Sequence, residues 1–546
     1  MANSYKNSKN KKFLLVCGVL FLSAVSASWE VSKETLDNHE CFVSVTAREM
    51  LVNNNWVWPT FNGNPRIKKT PLCYWLVAGL AKITGRVDEF TTRLPSVIFA
   101  VLSVGAILYF VNYCVSFRTA LISAAVWATS LDYIRHAHNG RPEMVMTFFI
   151  ILAFLSFYSA VITQSRKRQI AYTLVFWLSF ALSNLAKGPA PLPLVLVPLF
   201  FYVAIFRQWK KLLNWVSVAG LIIFLAIVLP WPLAIAHKLN WDLIIWKHES
   251  FDRFFGQYAS GHKQWYYYLP RMFIFVIPWV AFLPMALVAP FYKVWNKKRP
   301  VMQFLWLWFV VDLVFVTIAG GKRQHYVLPL MPAMAILIGI VIEDMAFIHK
   351  AYNRRFAKTT LVCHAVVIVA LAVAGTGYLI KTYPNMATGA LILGVVTIIL
   401  TISVVVLFAA GKPAVACGTL FGSIVVLFMI GYVTFLIPLD YNRYSRDFSK
   451  KLAQIVPRSD NLIAYEYISN RSVYYFGRVI PEIIDMSLLH KLYEQGDWVV
   501  ATGEQLKKLQ ADNTFRMVYY KEKADRTNRD VPGALFHKSA PFVTKE

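Results

Sequence analysis

The run Leu72-Cys73-Tyr74-Trp75-Leu76-Val77-Ala78-Gly79-Leu80-Ala81-Lys82-Ile83 decides how this chain is threaded. It is apolar but only about twelve residues long and contains Lys82, whereas a helix needs about 20 apolar residues to cross a hydrocarbon core roughly 30 Å thick. An interfacial or re-entrant helix fits it better than a crossing. Longer apolar runs surround it. Phe13 to Trp29, 94–117, 119–134, 144–163, 170–186, 190–206, 213–234, 271–292, 300–320, 327–347, 359–380, 386–410 and 413–438 give about thirteen predicted spans. The whole chain of 546 residues is 57% apolar and 16% charged, with a mean hydropathy of +0.49, richer in apolar residues than a soluble globule. The spans are predicted helical, because a helix satisfies its own backbone groups in lipid.

Charge tests the threading. With 72–83 held out of the count, Arg118, Arg166-Lys167-Arg168, Arg207 with Lys210-Lys211, Lys293 with Lys297-Lys298-Arg299, and Lys350 to Lys358 all fall inside. That is where short basic clusters collect. Counting 72–83 as a crossing would put every one of them outside. Lys6, Lys9, Lys11 and Lys12 precede the first span, which reads as an uncleaved signal anchor with its amino terminus in the cytoplasm. The loops 30–93, 135–143, 235–270 and 321–326 then lie outside. The net charge of +27 belongs to this bias, and the chain carries no nucleic-acid motif.

A polytopic helical domain is therefore expected over 1–438. Beyond it, alternating stretches at Leu462 to Tyr467, Val473 to Ile480 and Trp498 to Thr502 predict strands, so 439–546 reads as a small outer mixed α/β domain. The six cysteines form no CxxC and no Cys/His cluster, which argues against zinc or redox chemistry. Cys41 and Cys73 flank the first outer loop, where a disulfide and two unpaired thiols both remain open.

Polar residues gather in the outer loops. The first holds Asp37 and Glu40, one helical turn apart, then Arg48, and later Arg66, Lys68 and Lys69 after a Gly-Asn-Pro turn, cations suited to a lipid phosphate or to anionic headgroups. The second holds His136 and His138 and ends at Glu143, at the rim of the next span. Two histidines without a third ligand read as hydrogen-bonded loop residues before they read as a metal site. The third runs Trp246-Lys247-His248-Glu249-Ser250-Phe251-Asp252-Arg253; Asp252 stands where a zinc-protease helix would need its second histidine. The fourth, Gly320-Gly321-Lys322-Arg323-Gln324-His325-Tyr326, sets adjacent cations outside, against the prevailing bias, and so points to anion binding. Lys187-Gly188-Pro189 is a weaker case of the same kind, explained nearly as well by snorkelling. Asp312 is the one acid deep in a predicted span, where pairing with a neighbouring His or Arg is expected. No Walker loop, GxGxxG, GxSxG or kinase signature is present. Chemistry outside the inner membrane then needs a donor already activated and delivered by the membrane, such as a sugar on a polyprenyl phosphate.

The order Asp37-x-x-Glu40, Ala47-Arg48-Glu49-Met50, Trp56, Pro59, Asn62-Gly63, Lys69-x-Pro71-Leu72-x-Tyr74-Trp75 and Arg93-Leu94-Pro95 resembles bacterial aminoarabinose transferase-type enzymes. These are GT-C glycosyltransferases related to the protein O-mannosyltransferases. Ala186-Lys187-Gly188-Pro189, His248-Glu249 with Arg253-Phe254, and Lys322-Arg323 with Tyr326-x-Leu328-Pro329 extend the resemblance, which covers roughly 1–350. It implies an inverting transferase of the bacterial inner membrane that takes a sugar from a polyprenyl-phosphate carrier at a periplasmic site. The implied acceptor is lipid A or lipopolysaccharide core, with protein as the alternative. Asp37, Glu143 and Glu40 would be the acids; Lys69, Arg253, Lys322, Arg323, Tyr326, His248 and Lys187 would hold the donor. Three departures stand out: Lys68 where these enzymes often carry a glutamate linked to metal binding, Thr70 in place of a proline, and Asn38 in place of an acid. The first puts a divalent metal in doubt. A lipid or sugar-carrier transporter is the rival from another class, weakened by the lack of a visible internal repeat.

Overall fold

The computed structural model describes residues 2–212, 214–242, 244–248, 252, 263–440, 443–522, 531–539 and 544–545. It divides into two compact units: Met1–Val31, Lys68–Cys73 and Arg93–Leu436 form the first, and Ser32–Ile67, Tyr74–Thr92 and Ile437–Glu546 the second. Residues 30–93, expected from the sequence to be a loop of the membrane domain, are thus shared between them.

The first unit is a polytopic helical bundle. Among the described residues, 10 helices are long and apolar enough to cross a membrane, or 11 if the pair Tyr268–Phe275 and Trp279–Phe291, bent by 117°, counts as one span. That is fewer than the thirteen expected, and the reason is local. Within 119–134 the helix stops at Ala128, because Thr129 Oγ1 donates to the Ala125 carbonyl at 2.6 Å and Ser130 Oγ to that of Val126 at 2.6 Å. Such back-bonding competes with the backbone ladder. A second short helix, Leu131–Ala137, then begins. The helix within 190–206 is Pro191–Ile205, 15 residues or about 22 Å at 1.5 Å per residue, which falls short of the hydrocarbon thickness. The bent pair breaks at Pro278, which has no N–H to donate, and the Ile277 carbonyl accepts from Leu131 instead at 2.9 Å. The first helix joins the bundle through two buried serines: Ser23 Oγ meets Tyr133 OH at 2.7 Å and Ser26 Oγ donates to the Ala128 carbonyl at 2.9 Å. Asp312 is fully buried, and neither of its carboxylate oxygens is hydrogen-bonded among the described residues, so the expected His or Arg partner is not there. Among the described residues no two cysteines are joined in a disulfide.

The second unit is a mixed α/β domain. Its hairpin strands are β1 (Thr60–Phe61) and β2 (Asn64–Pro65); the main sheet holds β3 (Leu462–Tyr465), β4 (Glu482–Ile483), β5 (Trp498–Thr502), β6 (Met517–Lys521), β7 (Gly533–Phe536) and β8 (Thr544–Lys545). The sheet order is β4-β3-β5-β7-β6-β8, parallel across β4-β3-β5 and β6-β8 and antiparallel across β5-β7-β6. Strand period sorts the side chains. Leu462, Ala464, Trp498, Val500 and Leu535 point to one face; Ile463, Tyr465, Val499, Ala501, Ala534 and Phe536 point to the other. The first face is covered by Phe448 and Leu452 of helix Arg443–Ile455, by helix Asn470–Phe476, and by Leu36, Cys41 and Val45 from far upstream.

Cys41 and Val45 belong to helix Asn38–Val52, and Leu36 stands just before its N-cap. It starts at a capping box: Asp37 Oδ1 accepts from the N–H of His39 at 2.7 Å and of Glu40 at 2.9 Å, while Glu40 Oε2 accepts from the Asp37 N–H at 2.9 Å. Arg48 pins the helix by donating from Nη1 to the Tyr474 carbonyl at 2.9 Å and from Nη2 to that of Val473 at 3.2 Å. Burial pulls the pKa of that guanidinium down from its usual value, with Tyr474 opposing. The Asn62-Gly63 turn of the hairpin, with φ of +53° and +76°, supplies the left-handed conformation that a two-residue connection needs. Asn62 also exchanges hydrogen bonds with the Ile480 backbone, both 2.7 Å. Helix Leu72–Thr84 is 13 residues, as short as the sequence implied. From Tyr74 onward it packs Tyr74, Val77 and Ala78 on Val43, Ala47 and Met50 of helix Asn38–Val52. Arg48→Ala strips the donor from two carbonyls and is expected to destabilise the second unit by about 1–3 kcal/mol, measured as a lowered thermal midpoint in detergent.

Candidate active site

Helices Pro142–Ile162 and Arg166–Lys187 are joined by three residues and run antiparallel, so the start of one and the end of the next share a side. Pro142 opens the first helix, where its missing N–H costs nothing, and Glu143 follows in the first turn near the positive end of the helix dipole. Lys187 is the last residue of the second, a cation at the negative end. They meet: Lys187 Nζ donates to Glu143 Oε1 at 2.9 Å, with the side chains only 14% and 7% exposed. His325 Nε2 approaches the same oxygen at 3.5 Å, and Lys187 Nζ lies 5.9 Å from the centre of the Tyr326 ring. Glu143 Oε2 is buried with no hydrogen-bond partner among the described residues. Arg141 lies within electrostatic reach of Glu143, Lys187 and His325, and Arg323 within reach of Lys187.

The Lys69 segment is stitched to this place. Gly188 ends helix Arg166–Lys187 with φ +71°, a conformation that favours glycine, and its N–H donates to Thr70 Oγ1 at 2.8 Å. Thr70 Oγ1 also faces the Asn184 carbonyl at 3.4 Å, and Cys73 Sγ that of Ala186 at 3.8 Å. Lys69, half-buried, is therefore carried beside Lys187. The threonine that departs from the family pattern is the hinge of this contact.

The Lys322-Arg323 loop is fixed through its backbone. Arg323 N–H donates to Tyr268 OH at 3.1 Å, and that hydroxyl donates to the Arg323 carbonyl at 3.0 Å. The Arg323 side chain is exposed. Lys322 is buried and donates to the Ala319 carbonyl, at the end of helix Arg299–Ile318, at 2.8 Å. An ammonium has three donors, so this bond leaves capacity for an anion.

The structure thus brings Glu143, Lys187 and Tyr326 together, with the Lys69 segment and the Lys322-Arg323 loop tied nearby within the same unit. His248 pairs with Asp252, four residues on, in the same unit. Asp37 and Glu40 lie in the second unit, where each caps the other's end of one helix turn. Arg253 lies outside the described residues. His138 stands as a hydrogen-bonded histidine, with Nδ1 3.0 Å from the Ile134 carbonyl and Nε2 3.1 Å from that of Trp29. Lys68, where the resemblance would put a metal-binding acid, is exposed, and among the described residues no three His, Cys, Asp or Glu side chains gather. Among the described residues no such set supplies a metal's donors.

Two residues escaped the sequence reading. His325 reads in the sequence only as part of a basic loop. Asp132 was lost inside the apolar run 119–134, yet it is buried and its Oδ1 sits 3.2 Å from His136 Nδ1. The signal was its i, i+4 spacing to His136, visible only once the short helix Leu131–Ala137 is separated from its neighbour. A buried acid and cation pair broken on one side is costly, so Lys187→Met is expected to destabilise by about 3–5 kcal/mol, and Glu143→Gln added to it by much less than its own single effect, read as thermal midpoints.

Comparison with known proteins follows the same lines. The family model described as dolichyl-phosphate-mannose-protein mannosyltransferase matches residues 68–233. The undecaprenyl phosphate-alpha-4-amino-4-deoxy-L-arabinose arabinosyl transferase of Pseudomonas paraeruginosa is 28% identical over 314 residues, 56% of this chain and 56% of the relative. The Erwinia tasmaniensis protein of that name is 29% identical over 297 residues, 54% of this chain and 52% of the relative. The match thus spans about half the length of these curated relatives. Among solved structures, ArnT from Cupriavidus metallidurans bound to undecaprenyl phosphate superposes with a TM-score of 0.81 at 16% identity, covering 96% of this chain and 97% of that one. The archaeal oligosaccharyltransferase AglB from Archaeoglobus fulgidus gives 0.52 at 11% identity, over 96% and 74%. By fold, and by sequence over part of its length, this multi-pass membrane protein is similar to the aminoarabinose transferase-type proteins of the GT-C fold, relatives of the protein O-mannosyltransferases.

Proposed function

We propose that the protein is an inverting glycosyltransferase that moves a sugar from a polyprenyl-phosphate carrier to lipid A or lipopolysaccharide core. The observation that carries this reading is the buried Glu143 set among Lys187, His325 and Tyr326, with basic loops fixed beside it, in a fold shared with a protein crystallised on undecaprenyl phosphate. In the reaction the bond between the anomeric carbon and the carrier's phosphate oxygen breaks, and the leaving phosphate gains charge. Fixed cations stabilise that charge best where water is scarce. Lys69, Lys322, Arg323 and Arg253 are the candidates, with Tyr326 and His248 as further donor contacts. The acceptor's oxygen attacks from the opposite face of the sugar. A hydroxyl acceptor gives its proton to a base, for which Asp37 comes first and Glu143 second. A phosphate acceptor is already anionic, and Asp37 would then position it or stabilise the cationic sugar.

The basic clusters of the short loops favour an inner-membrane protein with this site, and residues 439–546, on the periplasmic side. The donor's sugar need not be the one in the relatives' name, given Lys68, Thr70 and Asn38. The family match at residues 68–233 favours a second reading, a protein acceptor on the same fold.

Asp37→Asn is a clean probe, because asparagine caps a helix about as well as aspartate and the fold should survive. Mass spectrometry of envelope lipids and glycoproteins from cells with the wild type, the deletion and this variant is expected to show one sugar lost from lipid A or core in the latter two. Transfer should fall about 100-fold or more. Loss from a protein instead would select the second reading. A folded Asp37→Asn protein working at the wild-type rate would remove Asp37 from the chemistry, and an unchanged glycan profile in the deletion, with a polyprenyl-linked lipid accumulating on the cytoplasmic face, would make the protein a transporter.

A further inference from the structure

Glu143 is held unevenly. Both of its neighbours act on Oε1, Lys187 at 2.9 Å and His325 at 3.5 Å, while Oε2 is buried without any hydrogen-bond partner among the described residues. A buried carboxylate oxygen left unsatisfied is costly, and such atoms in native proteins are normally met by water or by a ligand. One oxygen is thus anchored and the other keeps its accepting capacity unused among the described residues. Lys187 alone could not fix this division. An ammonium is a point charge on a flexible stem, free to swing to either oxygen. A planar imidazole on a short side chain is a stiffer neighbour.

His325 is itself fixed from behind. Arg135 Nη1 donates to Gln324 Oε1 at 2.9 Å, tying the turn that carries His325 to helix Leu131–Ala137. On that helix, His136 lies within electrostatic reach of His325. His136 Nδ1 sits 2.8 Å from the Asp132 carbonyl oxygen, which can only accept, so Nδ1 carries the proton and the ring is held in one tautomer. Asp132, with its side chain fully buried, stands 3.2 Å from the same nitrogen. On its other side the His325 ring meets Tyr326 edge-on at 4.9 Å. The transferase reading gives Asp132, His136 and His325 no role of their own in the reaction, yet all three lie close behind Glu143 and are largely buried.

We propose that His325 is a positioning residue: with Lys187 it anchors Glu143 Oε1, and so presents Oε2 to the acceptor. The inference rests on the transferase reading and on Glu143 having a part in it. A residue that acts through Glu143 slows transfer when lost without loosening the carrier.

The experiment compares wild type, His325→Ala, His325→Gln, Glu143→Gln and the His325→Ala/Glu143→Gln double variant. Sugar transfer is followed by mass spectrometry of envelope lipids, and affinity is measured on purified protein with undecaprenyl phosphate as the probe. His325→Ala should cut transfer about tenfold or more, since small misplacements of a reacting group are expensive, and leave carrier affinity within about twofold. His325→Gln, which keeps a planar donor, should recover most of the rate. Added to Glu143→Gln, the alanine change should slow transfer no further. If Glu143→Gln is impaired but His325→Ala transfers at the wild-type rate, loses rate only in step with carrier affinity, or is not improved by glutamine, the positioning role is overturned and the transferase reading stands. If Glu143→Gln itself transfers normally, the role falls because Glu143 has none. If the wild type transfers no sugar, the transferase reading fails and takes this inference with it.

Discussion

Everything in the helical unit that concerns the candidate site is arranged around the contact between Glu143 and Lys187. Taking a carboxylate and an ammonium out of water costs several kcal/mol each, and their attraction offsets this only when the geometry is good. Here two antiparallel helices supply that geometry, because the first turn of one and the last turn of the other lie side by side. Each charge also sits at the favourable end of its own helix dipole. Helix packing therefore sets the position of the acid, and the acid sets that of the lysine. The Lys69 segment then follows through Thr70, which is bonded to the glycine that ends the lysine's helix.

The second unit rests on a different constraint. A six-stranded sheet has two apolar faces to cover, and residues 437–546 supply much of the cover for both. Part of one face is closed by Leu36, Cys41 and Val45. Residues more than 400 positions upstream in sequence are thus structural parts of the C-terminal fold. This gives Asp37 and Glu40 a definite structural duty, because their capping box starts the helix that covers the sheet. A carboxylate with a capping duty can still serve chemistry, but its substitution must then preserve the cap.

Much of this was legible in the sequence, and the reasons are particular. Long uncharged runs announce membrane helices because hydrocarbon thickness sets a length and lipid admits no polar backbone. Residues 72–83 read correctly as short for the same reason. The alternation in 462–467 and 498–502 marks strands because a sheet's side chains alternate faces, whereas Val473 to Ile480, expected as a strand on the same ground, begins inside helix Asn470–Phe476, which Ser469 caps. The run 119–134 reads as one helix but is two short ones, because hydropathy does not see hydroxyls turning back on carbonyls at Thr129 and Ser130. Asp312 read as half of a pair, since a lone acid at that depth is unfavourable; the structure buries it with no hydrogen bond among the described residues.

The sequence by itself determined the class of protein, the number of long apolar helices to within a few, the presence of a terminal α/β domain and the residue types any site must use. These are consequences of local composition and period, which act over a few turns or strands. Only the tertiary structure decided which polar residues meet. That His325 shares an oxygen with Lys187, that Thr70 holds Gly188, and that Arg48 reaches the Val473 and Tyr474 carbonyls are contacts between segments from over 100 to over 400 residues apart. Such partners are chosen by the packing of whole helices and sheets, which no local pattern encodes.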